Sequence, residues 1–529
     1  MGVAFALLSA GLLASEALTQ DAPPADSVLI SVAPEMEATL EALGRAGRVI
    51  LLLKDCDADL DGNPIEAPFF EAPQPMYSVA AARLSPTQGV VIGPRAESFP
   101  VPIDELSGCF EIQAVFDRNR SQPGHRAPGN LISGVQRVEL QAGRAESLTM
   151  TLDRVIPDEP PPPDVEGIKW ITLPSERLTK ALGQSIVQRA GVVFPIGYDD
   201  VNHVRRHWPT IFVIPGFGGD HTMAIALARH VRQEALVSVL PQAVWVVLDP
   251  DGPLGHHGFA DSDGNGPRAE ALTTEFIPAL EQRFRLIAEP KARLLTGHSS
   301  GGWASLWLML KHPEFFGGCW SSAPDPVDFH AFQTCDIYAD ANIFTDAQGN
   351  ERPSFRTSGR TVDLVRMTNR DEISMERVLS PEGASGEQWD AWAAMFSPRG
   401  VGGLPRRLYN PRSGVIDRES AQAWSAFDIS RLVERDWPRL APVLAQRVHL
   451  LCGSRDSFYL ERAVGRLKEQ VTARNAAALA PGETPLPGDG FIDIVGGLDH
   501  GTLVPLATLR FNSGMRSYLE ANGLGVSKP

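Results

Sequence analysis

The chain has 529 residues, 43% of them hydrophobic and 21% charged, a composition that excludes full disorder and fits a soluble globular protein of several domains. Asp plus Glu number 64 against 48 Lys plus Arg, and the resulting net charge of −16 repels phosphate backbones and anionic membrane surfaces, which argues against nucleic-acid binding. Five cysteines are too few for a dense disulfide framework, and no C-x-x-C spacing points to structural zinc.

Residues 3–14 (VAFALLSAGLLA) form an apolar run well short of the roughly 20 residues that span a bilayer. Ser15 and Ala17 follow at positions resembling a cleavage site, so residues 1–20 read as a signal peptide, although no Lys or Arg precedes the run. A buried N-terminal helix is the alternative. Export to the periplasm or the extracellular space would permit disulfides, with Cys56–Cys109 and Cys319–Cys335 as the pairs to test and free buried thiols as the alternative. No other run is long enough to span a membrane.

Residues 21–155 carry a period of two. Segments 49–53, 77–84, 109–116, 135–140 and 147–152 read as strands bounded by Gly, Pro, Asn or Asp, which predicts a small β-sandwich of immunoglobulin type. Residues 156–167 (IPDEPPPPDVEG) hold four consecutive prolines and read as an extended linker. From 168 to 525 the pattern changes to apolar strands alternating with helices. Strands are expected at 210–214, 243–248, 292–295, 316–321, 447–452 and 491–495, and helices at 268–285, 303–311, 459–474 and 503–519. That alternation predicts a mostly parallel sheet covered by helices on both faces. Residues 323–446 contain no clear buried strand and are too long for a loop, so a helical, cap-like insertion over the end of the sheet is expected.

The chemistry concentrates in a few motifs. Gly297-His298-Ser299-Ser300-Gly301 matches G-x-S-x-G, placed directly after a strand and before a helix, as a nucleophile elbow requires. The register selects Ser299, because Ser300 would need Gly where His298 stands. A serine needs a base, and in this arrangement the order along the chain is Ser, acid, His. Only four of the 12 histidines follow Ser299. His449 lies inside a strand, His312 ends a helix, and His330 comes early in the insertion, which leaves His500 in the loop after 491–495. The acid is expected at Asp456, in the loop after 447–452, with Asp499 as a geometrically poorer rival. The oxyanion hole is expected from the N–H groups of Ser300 and of Phe217, with Gly218 as the alternative, in Pro215-Gly216-Phe217-Gly218-Gly219. Gly218, His298, His256 and His257 are the candidate substrate contacts. Two stretches resembling the start of a calcium loop, 57–62 and 261–266, lack Glu at position 12 and read as acidic turns. The aromatic stretch 386–396 reads as core or cap packing.

These motifs resemble the α/β-hydrolase superfamily, and within it the esterase group that includes esterase D and the enterochelin esterases. The resemblance covers about 167–519, and Pro215 and the insertion depart from the group's usual pattern. It implies a Ser299–Asp456–His500 triad and carboxylic ester hydrolysis through an acyl-enzyme, with no metal or organic cofactor and a small-molecule or polymeric ester as substrate. A serine peptidase or an acyltransferase could use the same triad. The N-terminal β-domain is similar to the leader domain of some exported bacterial esterases.

Overall fold

The strand Gly47–Asp55 contains the unbroken apolar run 49–53, where a half-exposed strand would alternate with polar residues. The computed structural model explains the run. It describes residues 27–525 except 68, 120–121, 144–146, 234–235, 237–238, 360–361 and 479–487. Val49, Leu51 and Leu53 face the β-domain's own core with Tyr77, Phe110, Phe116 and Leu152. Ile50 and Leu52 point the other way and pack on Met375, Val378 and Leu379 of the later insertion. Both faces are therefore buried, the condition under which a strand becomes apolar throughout.

Nine strands build this domain, beginning with Ser27–Val32 and ending with Ser147–Val155, which pair with each other in parallel. The expected all-β region is present as one sheet, in which eight strands follow a single hydrogen-bonded path and Gln136–Leu140 branches from Gly108–Asp117. Four strands lie outside the predicted set: Ser27–Val32, Val90–Ile92, Glu97–Phe99 and Leu131–Ser133. The last three have three residues each, too few for a readable period. Cys56 and Cys109 are joined in a disulfide, whereas Cys319 and Cys335 are separate buried thiols. Cys319 sits in a sheet strand facing Ser305, and Cys335 lies under the Asn342 carbonyl, so the second predicted pair does not form. The signal-peptide reading of residues 1–20 lies outside the described residues.

Residues 156–165 carry no helix or strand, and the Pro163 carbonyl accepts a hydrogen bond from Trp170 Nε1 at 2.9 Å. Beyond them an eight-stranded sheet runs in the order Ile168–Pro174, Val187–Val193, Val244–Leu248, Thr210–Ile214, Arg293–His298, Gly318–Ser322, Val448–Gly453, Phe491–Val495. The first three are joined antiparallel and the rest parallel. This is the mostly parallel sheet expected from the alternation, with the first two strands added. Helix Ser300–Lys311 is buried along almost its whole length, which explains its apolar composition on every side. Helix Val504–Ala521 instead buries only the stripe Ala507, Phe511, Met515 and Leu519, one residue every four.

The insertion is less purely helical than predicted. It contains a two-stranded ribbon, Pro353–Thr357 against Leu364–Thr368, ahead of helices Asn369–Leu379, Gln388–Phe396, Arg418–Trp424 and Ile429–Arg435. The stretch 386–396 serves packing as expected, with Trp389, Trp392 and Phe396 buried. Asp261 Oδ1 accepts from the backbone N–H of Ala269 and Glu270, consistent with an acidic turn that caps a helix. Among the described residues no helix is long and apolar enough to cross a membrane.

Candidate active site

The parallel strands all end on one edge of the sheet, and the predicted motifs lie in the loops that follow them. In this architecture that edge is where ligands bind. Register brings the loops together: Gly297 pairs with Ile214, His298 with Ser322, and Gly453 with Val495.

Ser299 lies between strand Arg293–His298 and helix Ser300–Lys311, with φ 58° and ψ −126°. Such a conformation costs a non-glycine residue roughly 1–3 kcal/mol, and it is held by the surroundings. Ser299 N–H donates to Ser322 O at 3.0 Å, and Ser299 O accepts from Trp303 N–H at 3.0 Å. The glycines of the motif are steric requirements. A Cβ on Gly301 would lie 2.0 Å from Ile214 O and 2.6 Å from Pro215 O, and one on Gly297 would lie 2.2 Å from Gly301 O. Both clashes are with backbone, which cannot turn away as a side chain can. We therefore expect Gly301→Ala to lower stability by roughly 3 kcal/mol or more and the unfolding midpoint by roughly 5 °C or more. Gly496→Ala, where a Cβ would meet nothing within 4 Å, is the control and should unfold like the parent in the same thermal melt.

Asp456 is fully buried, and its two carboxylate oxygens have different tasks. Oδ2 accepts from His500 Nδ1 at 2.8 Å, and Oδ1 accepts from Phe458 N–H at 2.9 Å and Leu460 N–H at 3.4 Å. The turn is anchored from the insertion: Arg356 Nε donates to Asp456 O, and Arg356 Nη2 reaches Glu461 at 2.8 Å. A Cβ on Gly453 would fall 2.3 Å from Leu498 O, so glycine there lets the acid loop and the histidine loop approach. Asp499, the rival acid, is occupied by the N–H and hydroxyl of Thr502 at 2.8 and 2.6 Å.

Burial by itself lowers the His500 pKa. The charge and hydrogen bond of Asp456, with smaller help from Asp325 and Asp499, outweigh it and lift the group above its ordinary 6.5. With Nδ1 committed to Asp456, Nε2 is the nitrogen left for a proton relay.

The other predicted residues fall into two groups. His298 lies beside His500, ring centres 4.4 Å apart, with Nδ1 on Ser322 Oγ at 3.1 Å. Burial, and then the His500 charge, push its pKa down to about 3, so its ring stays neutral. Gly216 comes so close to Ser299 that an added Cβ would lie 3.2 Å from Ser299 Cβ. Phe217 and Gly218 follow Gly216 in the same loop. Gly218 has φ 76°, the positive region that glycine adopts without strain. His256 and His257 are buried. His256 Nε2 bonds Pro215 O at 3.0 Å, its Nδ1 accepts from Gly258 N–H, and burial pushes its pKa to about 4. His256 thus braces the loop from below, and His257 Nδ1 accepts from Phe259 N–H.

Asp325, in the loop after Gly318–Ser322, was outside the predicted set. Its Oδ2 accepts from Ser300 Oγ at 2.7 Å and from Trp392 Nε1 at 2.8 Å, linking the residue after Ser299 to helix Gln388–Phe396. Burial raises its pKa to about 6, against those two hydrogen bonds and the His500 charge. Its position at the end of a sheet strand was the available signal. Among the described residues no group of three or more His, Cys, Asp or Glu could hold a metal ion. The arrangement offers a strained serine hydroxyl, a histidine polarised by a buried carboxylate, and a helix N-terminus whose N–H groups favour negative charge.

A family model described as "Putative esterase" matches residues 191–481, just over half of the chain. The uncharacterized protein YbbA of Bacillus subtilis (strain 168) is 30% identical over 89 residues, 15% of this chain and 36% of that protein, so the match spans about a third of that relative's length. Similar solved structures include a ferulic acid esterase (15% identity, 66% of this chain and 98% of that one, TM-score 0.38). They also include an S-formylglutathione hydrolase from Agrobacterium tumefaciens (17%, 69% and 98%, TM-score 0.34). A third is the fluorophosphonate-binding serine hydrolase FphF of Staphylococcus aureus (12%, 66% and 98%, TM-score 0.35).

Proposed function

We propose, from the premise that the chain belongs to the Putative esterase family of α/β-hydrolases, that it is a serine carboxylic ester hydrolase with Ser299, His500 and Asp456 as its triad. The observation that carries this reading is the 2.8 Å bond from His500 Nδ1 to the buried Asp456, at the same sheet edge as a serine in the strained elbow conformation.

His500 Nε2 takes the Ser299 proton as Oγ attacks the ester carbonyl carbon. Negative charge develops on the carbonyl oxygen, which the N–H groups of Ser300 and Phe217 receive. The tetrahedral intermediate collapses, the alcohol leaves with the proton returned by His500, and the acyl group stays on Ser299. A water then repeats the sequence, giving its proton to His500 and releasing the carboxylic acid. Asp456 fixes the His500 tautomer and stabilises the imidazolium formed in each half.

A fluorophosphonate probe tests the nucleophile directly. The expected result is one covalent adduct that peptide mapping places on Ser299, and an adduct elsewhere or none would overturn the assignment. Turnover of p-nitrophenyl esters without peptide cleavage separates the ester reading from a peptidase with the same triad.

A further inference from the structure

The aromatic side chains beside His500 come from three parts of the chain. Phe458, two residues after the acid, meets the His500 ring edge to face, with centres 5.0 Å apart and planes at 81°. Phe70, from the β-domain, meets Phe458 at 5.3 Å and 89°, and Phe69 meets Phe70 at 5.2 Å. Phe355 of the insertion ribbon is buried beneath them, 5.0 Å from Phe458 and 5.9 Å from Phe70. Phe69, Phe70 and Phe458 are only half-buried, so a row of rings leads away from His500 with apolar surface still open.

The β-domain is held firmly enough to keep those rings in place. Ile50, Leu52, Ile65 and Val115 pack on Met375, Val378 and Leu379 of the insertion. Glu97 pairs with Arg377 and Arg412 across the same boundary, and Arg48 reaches Glu382 at 3.2 Å.

In ester hydrolysis the leaving oxygen must lie within hydrogen-bond reach of His500 Nε2, so groups beside the His500 ring border the alcohol half of the substrate. We propose that Phe69 and Phe70 of the β-domain, with Phe458, form the subsite for the alcohol portion of the ester and select alcohols that carry an aromatic ring. The inference rests on the ester-hydrolase reading and adds the substrate's alcohol class to it. Offset or edge-to-face packing of a ring on these faces is the interaction expected.

The test uses the full-length protein and two acetates that differ only in the alcohol, benzyl acetate and methyl acetate. Phe69→Ala/Phe70→Ala should lower kcat/KM for benzyl acetate roughly tenfold, mainly through KM, and change methyl acetate less than about twofold. Phe70→Leu, which keeps an apolar filling and suits a fold that tolerates the double variant poorly, should lower the benzyl-to-methyl ratio in the same direction. An unchanged ratio in both variants, including equal losses on the two esters, overturns the subsite. A parent protein that turns over neither ester and takes no label at Ser299 overturns the hydrolase reading, and the subsite with it.

Discussion

Ser299→Ala should leave the protein folded and reduce ester turnover by roughly 10⁴-fold or more, the loss that follows when a serine hydrolase is left with only its oxyanion donors and binding surface. The fold should survive because the Ser299 contacts that hold the elbow are made by its backbone: N–H to Ser322 O, and O to Trp303 N–H. Alanine keeps both. Removing the hydroxyl leaves the backbone strain in place, so the unfolding midpoint should move by no more than a few degrees. Initial rates on p-nitrophenyl acetate, beside a thermal melt, check both halves. A variant that retains more than about a hundredth of the parent rate would show that another residue is the nucleophile. Loss of the fluorophosphonate adduct in the same variant ties the rate to the residue.

Asp456→Asn should be nearly as damaging, at roughly 10⁴-fold in kcat, through the His500 tautomer. Oδ1 of Asp456 accepts from two backbone N–H groups, of Phe458 and Leu460. An asparagine keeps those bonds only by placing its carbonyl oxygen there, which turns its NH₂ toward His500 Nδ1. Nδ1 must then accept, the ring proton moves to Nε2, and Nε2 can no longer take the Ser299 proton. The pH profile gives a second readout. His500 must be neutral to act as base, and its pKa lies above 6.5 because the influence of Asp456 outweighs burial. The parent kcat/KM should therefore fall, as pH is lowered, through an acidic limb above pH 6.5. In Asp456→Asn the raising influence is lost and burial dominates, so the limb should shift to lower pH. An unmoved limb would assign that titration to another group.

Both variants act at positions already legible as residues in the chain. The elbow is readable because glycines at 297 and 301 flank a serine at a strand-to-helix junction, and those glycines answer to backbone atoms only about 2 Å away. His500 was reached by order along the chain, since each histidine between it and Ser299 lay in a strand, at a helix end, or early in the insertion. Asp456 followed from its place after a buried strand. Local pattern suffices here because strand, turn and helix of the elbow are contiguous, and the acid and histidine each close a strand. Cys56–Cys109 was likewise proposed from the chain alone, but so was Cys319–Cys335, and only the fold separates the two.

Tertiary structure decided what joins distant segments. The double-sided burial of strand Gly47–Asp55 depends on an insertion some 300 residues later, so its apolar run reads from the chain as a strand and nothing more. His256 and His257 stood near the expected site in the chain, and the fold buries both and sets His256 Nε2 on the Pro215 carbonyl. Asp325 bonds both Ser300 and Trp392, residues far apart along the chain, a junction that only the fold makes. The row of phenylalanines running from the β-domain to His500 belongs to no local motif. Sequence by itself determined the mostly parallel α/β sheet, the all-β leader and the order of the proposed triad, because periodicity and strand-end motifs are local properties of the backbone. Only the tertiary structure decided which side chains surround that triad, because burial and ring contacts are set by segments that meet from opposite ends of the chain.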